Sequence, residues 1–216
     1  LNPDATSTVT PGGKLIGVTK IATTTGVVRV FFDGRGLAAV PTLVGLQEEV
    51  FRSGDIYVGT TTPLVTGTAE IATNSLVTNR TWNSADGGVT IGWTDWLPPK
   101  RWDLGTITFQ PFISSASATG GPAMYFLDGA AVSSSDTLNA TVGTAQSSLV
   151  TMPATANVLV LGAVSAAITI GGTPAANDLI KLRIRRVTTD AGDTNVDTLR
   201  LHGFKVFYTS NATTDT

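Results

Sequence analysis

The sequence predicts an all-β fold, a sandwich or a barrel, and three observations carry that expectation. The 216 residues include 36 Thr and 14 Ser, but only 5 Lys and 3 Glu. Lys and Glu are good helix formers, whereas Thr and Val suit a pleated strand. Charged residues make up 14% of the chain, against about 25% in an ordinary globular domain, and hydroxyls take their place. Finally, short alternating apolar runs recur with turn residues between them and no sustained helical period. The length fits one large all-β domain, or one domain with an extension, and is enough to bury a core without cross-links.

The elements follow in order. Residues 1–13 are Thr, Pro and Gly with little apolar content and read as an arm or linker. Residues 14–40 read as two strands around a turn at Thr23-Thr24-Thr25-Gly26. Val28, Val30 and Phe32 form one apolar face there, with Arg29 and Asp33 on the other. Asp33-Gly34-Arg35-Gly36 is a further turn. Thr42 to Ser53 is the best helix candidate, because Leu43, Leu46 and Val50 recur at i, i+3 and i+7. Gly45 weakens it by about 1 kcal/mol relative to Ala, and Gly54 would end it. Ile56 to Gly59 reads as a strand. Thr60 to Gly88 is polar and rich in turns, with short strand-like pieces. A domain boundary is expected near residue 75, with an N-terminal arm and attachment region over 1–75 and a β-sandwich domain over 76–216.

Val89 to Trp96 alternates imperfectly, and Pro98-Pro99 interrupts the chain. Thr106 to Ile113 alternates well, with Ile107, Phe109 and Ile113 facing one way and Thr106, Thr108 and Gln110 the other. Met124 to Val132, Ser148 to Met152, Asn157 to Leu161 and Ala166 to Ile170 are short strands. Ser133 to Gln146 is a long connection with a helical turn expected around Leu138 and Val142. Leu179 to Val187 and Thr198 to Tyr208 close the domain. In Leu179 to Arg185 the even positions are aliphatic, and the odd ones include Lys181, Arg183 and Arg185. In the last strand the apolar set is odd at Leu199 and Leu201 but even at Phe204, Val206 and Tyr208. A slip of one residue turns a buried face outward, so the sequence predicts a β-bulge at or beside Gly203.

Several function classes are excluded by residue type. The chain has no Cys and one His, so it holds neither thiolate chemistry nor a multi-His zinc site. A net charge of −2 and a pI near 5.3 give no footprint for nucleic acid. The longest apolar stretch, Val158 to Ile170, is interrupted by Gly162, Ser165 and Thr169. It falls short of the ~20 residues of a membrane helix.

The candidate contacts each have two readings. Trp82, Trp93, Trp96 and Trp102 lie close in sequence. Exposed, they would stack on sugar rings; buried, they would fill a core or a subunit interface, and Trp102, just before a core strand, is read as structural. The basic face of Lys181, Arg183 and Arg185, with Arg186 beside it, would bind phosphate or DNA, or pair with carboxylates. Those carboxylates would belong to a neighbouring subunit, or to Asp178, Asp190 and Asp193 of the same domain. Asp190, Asp193, Asn195 and Asp197 cluster oxygens in one loop. Ca²⁺ takes 6–8 such oxygens, but the spacing is not that of an EF-hand, and Asp and Asn are also ordinary turn formers. Glycoside hydrolysis needs two flanking carboxylates, and no spacing here locates a pair. His202, opposite Leu199 and Leu201 on its strand, lacks a Ser or Cys partner in any recognisable motif.

Three phrases of the C-terminal half add a resemblance. They are Trp102-Asp103-Leu104-Gly105-Thr106-Ile107-Thr108-Phe109-Gln110, then Ala166 to Leu179 with its Gly171-Gly172-Thr173-Pro174-Ala175-Ala176-Asn177-Asp178 centre, then Asp190-Ala191-Gly192-Asp193 followed by Val196 to Tyr208. In this order, over roughly residues 93–209, they resemble a jelly-roll domain of structural proteins of tailed bacteriophages, found in virion, tail-fibre and head-decoration settings. The resemblance implies an all-β jelly-roll β-sandwich that assembles, often as a homotrimer, on a virus particle, with no catalytic set; no cofactor and, from the charge and the apolar pattern, no membrane or nucleic-acid partner is expected. A capsid decoration or head-fibre protein, with residues 1–75 attaching to capsid or tail proteins, is the leading expectation. The alternative is a tail-fibre or receptor-binding tip that recognises host glycans. Trp82, Trp93, Trp96, Lys181, Arg183 and Arg185 are the candidate interface or glycan contacts under either.

Overall fold

A computed structural model describes residues 15–20, 28–32, 45–59, 65–71, 75–82 and 89–211. The arm of residues 1–13 and the turns at Thr23–Gly26 and Asp33–Gly36 lie outside the described residues. So does the side-chain face expected for Val28, Val30 and Phe32. The chain divides into two compact units, Leu1–Leu43 and Val44–Thr216. The first holds an antiparallel hairpin of β1 (Leu15–Lys20) and β2 (Val28–Phe32), in register from Lys20↔Val28 to Leu15↔Phe32 with one irregularity between Leu15 and Gly17.

The second unit is a jelly-roll β-sandwich. Its strands are β3 (Gly45–Arg52), β4 (Tyr57–Val58), β5 (Val65–Ile71), β6 (Ser75–Trp82), β7 (Val89–Trp96), β8 (Thr108–Ser115), β9 (Gly121–Val132), β10 (Gln146–Met152), β11 (Val160–Leu161), β12 (Leu179–Val187) and β13 (Leu199–Ser210). One sheet runs β10-β9-β12-β7-β4, and the other runs β11-β8-β13-β6-β5 with β3 also along β13. The eight strands β6 to β13 therefore form β6-β13-β8-β11 facing β7-β12-β9-β10, the double-sheet jelly roll. All ladders are antiparallel.

Alternation explains which face each strand buries. Phe109 and Ile113 of β8, Tyr125 and Leu127 of β9, Ile180, Leu182 and Ile184 of β12, and Leu199, Leu201, Phe204 and Val206 of β13 form a single core. Aromatic rings bridge the two sheets. Trp82 meets Tyr125 edge-on at 5.0 Å, and Trp96 lies 5.5 Å from Tyr208 and 5.1 Å from Trp102. The bulge falls where the phase slip places it, with the β13–β8 register shifting between Leu201 and Gly203. Gly203 has φ +152, and a Cβ there would stand 2.3 Å from the Phe51 carbonyl oxygen.

Four expectations are corrected. The helix over Thr42–Ser53 is instead strand β3, followed by a single 3₁₀ turn at Ser53–Asp55. Eight residues of β3 pair with Gly203–Ser210 of β13, and Phe51 stacks on Phe204 at 5.1 Å. Leu46 and Val50, the supposed helical stripe, stand exposed. A ladder to a strand about 150 residues away outweighs a short, Gly-weakened local period. The connection after β9 has no helical turn, and Leu138 points to solvent. The Gly143 and Gly171 amides both donate to the Gly129 carbonyl, so three backbones cross where side chains would collide. Ala166–Ile170 is not a regular strand. Ile168 bridges to Ile107 of one sheet's edge and Gly171 to Ala130 of the other sheet, so the segment straps the sandwich. The compact unit begins at Val44, so β3, β4 and β5 are strands of the sandwich, although they precede the boundary expected near residue 75.

Candidate functional site

Of the four Trp residues, Trp82, Trp96 and Trp102 are core. Trp82 and Trp96 were candidate interface or glycan contacts. Both point into the core and are all but fully buried, so they offer no surface to a sugar or a partner. Trp93 sits at an odd position of β7, with Ile91 and Asp95, on the outward face of its sheet.

The register then brings Trp93 together with the basic stripe. Arg183 is the direct ladder partner of Trp93 on one side and of Asp128 on the other. Tyr57 of β4 is paired with Trp93 on its far side and is 60% exposed. Directly opposed residues share a face, so Tyr57, Trp93, Arg183 and Asp128 form one row across four strands. The Arg183 guanidinium lies over the Trp93 ring, 5.5 Å from its centre. Its Nε and Nη2 donate to the two oxygens of Asp128, each at 2.8 Å. Arg185, one row away, donates from Nη2 to the same carboxylate at 2.7 Å. Lys181, one row the other way, bonds Asp95 at 2.8 Å. The partners of Lys181, Arg183 and Arg185 are therefore Asp95 and Asp128, on the flanking strands, and not Asp178 or Asp190; of the three carboxylates expected, Asp193 does pair, with Arg186. The Asp128 side chain is only 1% exposed beneath its two guanidinium groups.

Arg186 behaves differently. Alternation turns it onto the buried, aliphatic face of β12, where it is fully buried. The Asp190–Asp197 loop closes around it. Nε and Nη2 donate to the two oxygens of Asp193, both at 2.9 Å, Nη1 to the Asp197 carbonyl and Nη2 to the Asn195 carbonyl. Burial opposes the charge, but the Asp193 hydrogen bond and the negative charges of Asp193 and Asp197 hold the guanidinium pKa above its ordinary value. Three further loop oxygens also have donors. Asp190 Oδ1 takes the Gly192 amide, Asn195 Oδ1 the Asp197 amide and Asp197 Oδ2 the Ser115 hydroxyl. The cation at the centre of these oxygens is thus a guanidinium, and among the described residues no group of three His, Cys, Asp or Glu is placed to hold a metal.

On the other sheet, Ser114 Oγ and His202 Nε2 lie 2.7 Å apart, the spacing of a nucleophile and its base. Ser114 is only 5% exposed, and the ring's other contact is the backbone of Thr78 instead of a carboxylate. The geometry is that of a satisfied structural pair.

The last surface feature was not anticipated from the sequence, although its signal is there: no charged side chain stands between Asp136 and Asp178. That stretch contains β10, β11 and the strap. Leu159, Leu161 and Val164 are 56%, 52% and 53% exposed, and Leu149 and Val158 beside them are also open. The Ala163 amide donates to the Leu149 carbonyl, so these residues belong to one edge of the sandwich. No helix among the described residues is long and apolar enough to cross a membrane.

No protein-family model matches the chain, and no curated protein matches it. Among solved structures, the chain is similar to the CBM36-1 domain of a multidomain xylanase from the hindgut metagenome of Trinervitermes trinervoides. The identity is 11% and the TM-score 0.37, over 74% of this chain and 96% of that one.

Proposed function

We propose that the chain is a structural protein of a tailed-phage particle, a capsid decoration or head-fibre protein. It would pack the uncharged edge of its jelly roll against copies of itself and the shell. One observation carries the reading: an edge of exposed aliphatic side chains within a stretch free of charge from Thr137 to Asn177. Exposed apolar patches of this kind mark interaction surfaces on soluble domains. The burial of Trp82, Trp96 and Trp102 favours this reading over glycan recognition, because it withdraws three of the four Trp rings from any stacking on sugars. Bound copies would stabilise the particle by mass action. Residues 1–43 are the candidate attachment segment in this reading.

Assembly is tested by sedimentation equilibrium of the full chain and of Leu161→Lys. The wild type is expected to form an oligomer, a trimer in the simplest case. The variant is expected to stay monomeric while keeping the far-UV circular dichroism of the folded wild type, since Leu161 faces outward. A monomeric wild type would count against the reading.

A second reading, recognition of host glycans by a tail-fibre tip, is favoured by a different observation. The outward row of Tyr57, Trp93 and Arg183 presents an exposed aromatic ring beside polar groups, the composition that sugar binding requires.

A further inference from the structure

The outward face of the β9–β12–β7–β4 sheet carries an unbalanced charge that is held in place. Arg183 and Arg185 share one carboxylate, that of Asp128. Lys181 and Asp95 cancel one another, so the face retains one net positive charge. Asp128 lies beneath the two guanidinium groups, while Arg183 and Arg185 keep 23% and 19% of their side chains exposed. A guanidinium has five N–H donors. Arg183 directs two at Asp128 and Arg185 one. Each thus keeps donors beyond those that Asp128 accepts, and the ion pairs with Asp128 and the Trp93 ring beneath Arg183 fix their positions. Ordering costs for an incoming anion are correspondingly small. The neighbouring group in the Arg183 row, past Trp93, is the exposed Tyr57 ring.

We propose that this face binds an acidic saccharide. A carboxylate on the sugar would be received by Arg183 and Arg185, and an adjacent ring would stack on Tyr57. The charge excess selects an anion, the paired guanidinium groups match the planar fork of a carboxylate, and the aromatic ring selects a ligand with an apolar face. The inference rests on the glycan-recognition reading and narrows it to uronic or sialic sugars.

The test uses the full chain over immobilised hexasaccharides: galacturonate, a glucuronate–N-acetylglucosamine repeat, oligosialate, and neutral galactose and glucose hexamers. A duplex DNA of equal charge is run alongside. At least one acidic hexamer should be retained over both neutral ones, with affinity falling as salt rises. Arg185→Gln keeps Asp128 paired with Arg183 and should weaken that binding about tenfold or more, the loss of a charged hydrogen bond. Tyr57→Ala, at an exposed site, should weaken it up to about tenfold. Retention of neutral hexamers with no effect of Arg185→Gln would overturn the inference and leave glycan recognition standing. Retention of no saccharide would overturn both. Preference for DNA over every acidic hexamer would overturn the inference in favour of a phosphate site.

Discussion

Arg186 shows how much a single position decides. A buried guanidinium is tolerated because both oxygens of Asp193 and two backbone carbonyls receive its protons. Replacing it with Met would leave Asp193 buried and uncompensated. We expect a loss of about 3–5 kcal/mol in denaturant unfolding, whereas a chelator should leave the melting temperature unchanged. A chelator-sensitive melt would mean that the loop holds a metal after all. This site was only half legible. The sequence shows oxygen-bearing residues crowded in one loop, but reads Arg186 as part of the basic stripe. The corrective signal is simple alternation: two consecutive arginines on one strand cannot share a face, so one of Arg185 and Arg186 must point into the core.

His202 makes a second residue-scale prediction. Burial lowers its pKa, the nearby Arg200 charge adds to that, and the hydrogen bond to the Thr78 backbone opposes it. The unfolded chain therefore takes up a proton more readily than the native one. The stability linked to this ring is fully present above about pH 6.5, the unfolded value, and is lost as pH falls from there towards the lowered native pKa. In melts between pH 7 and pH 5, His202→Gln should show a shallower decline than the wild type. An identical decline would place the acid sensitivity elsewhere.

At the scale of elements, legibility follows from how completely one face is buried. β8, β12 and β13 alternate cleanly because one side of each lies in the core, and even the bulge in β13 could be read from its phase slip. β3 buries only Phe51 of its eight residues, so its pattern carries no strand period. A chance i, i+3, i+7 spacing then reads as helix, and the ladder that decides the matter lies on β13, out of reach of any local window. The ion pairs of the basic stripe were hidden for the same reason. Asp95 and Asp128 become neighbours only through the registers of β12 with β7 and β9. Gly203 permits both the bulge and the close approach of β3. Gly203→Ala should cost about 2–3 kcal/mol by thermal unfolding, since its Cβ would collide with the Phe51 carbonyl. A neutral substitution would mean that β3 does not lie against the bulge.

Across the sandwich unit, polarity is segregated. Asp95, Asp128, Lys181, Arg183 and Arg185 charge the outward face of β7, β12 and β9, and the β10–β11 edge with its strap carries no charged residue. The low overall charge with which the sequence announces itself is therefore uneven in space, and the uncharged part is a surface. Ser, Thr and Ala there lose little side-chain entropy on contact, which suits a protein that is packed against copies of itself and a shell. The same division leaves the charged face free for an acidic sugar while the apolar edge is occupied. The most direct test of the proposed particle role is the copy number of this chain, by quantitative mass spectrometry, in virus particles purified from a culture that expresses it. A decoration or head-fibre role predicts tens to hundreds of copies per particle. Absence from the purified particle would contradict the account.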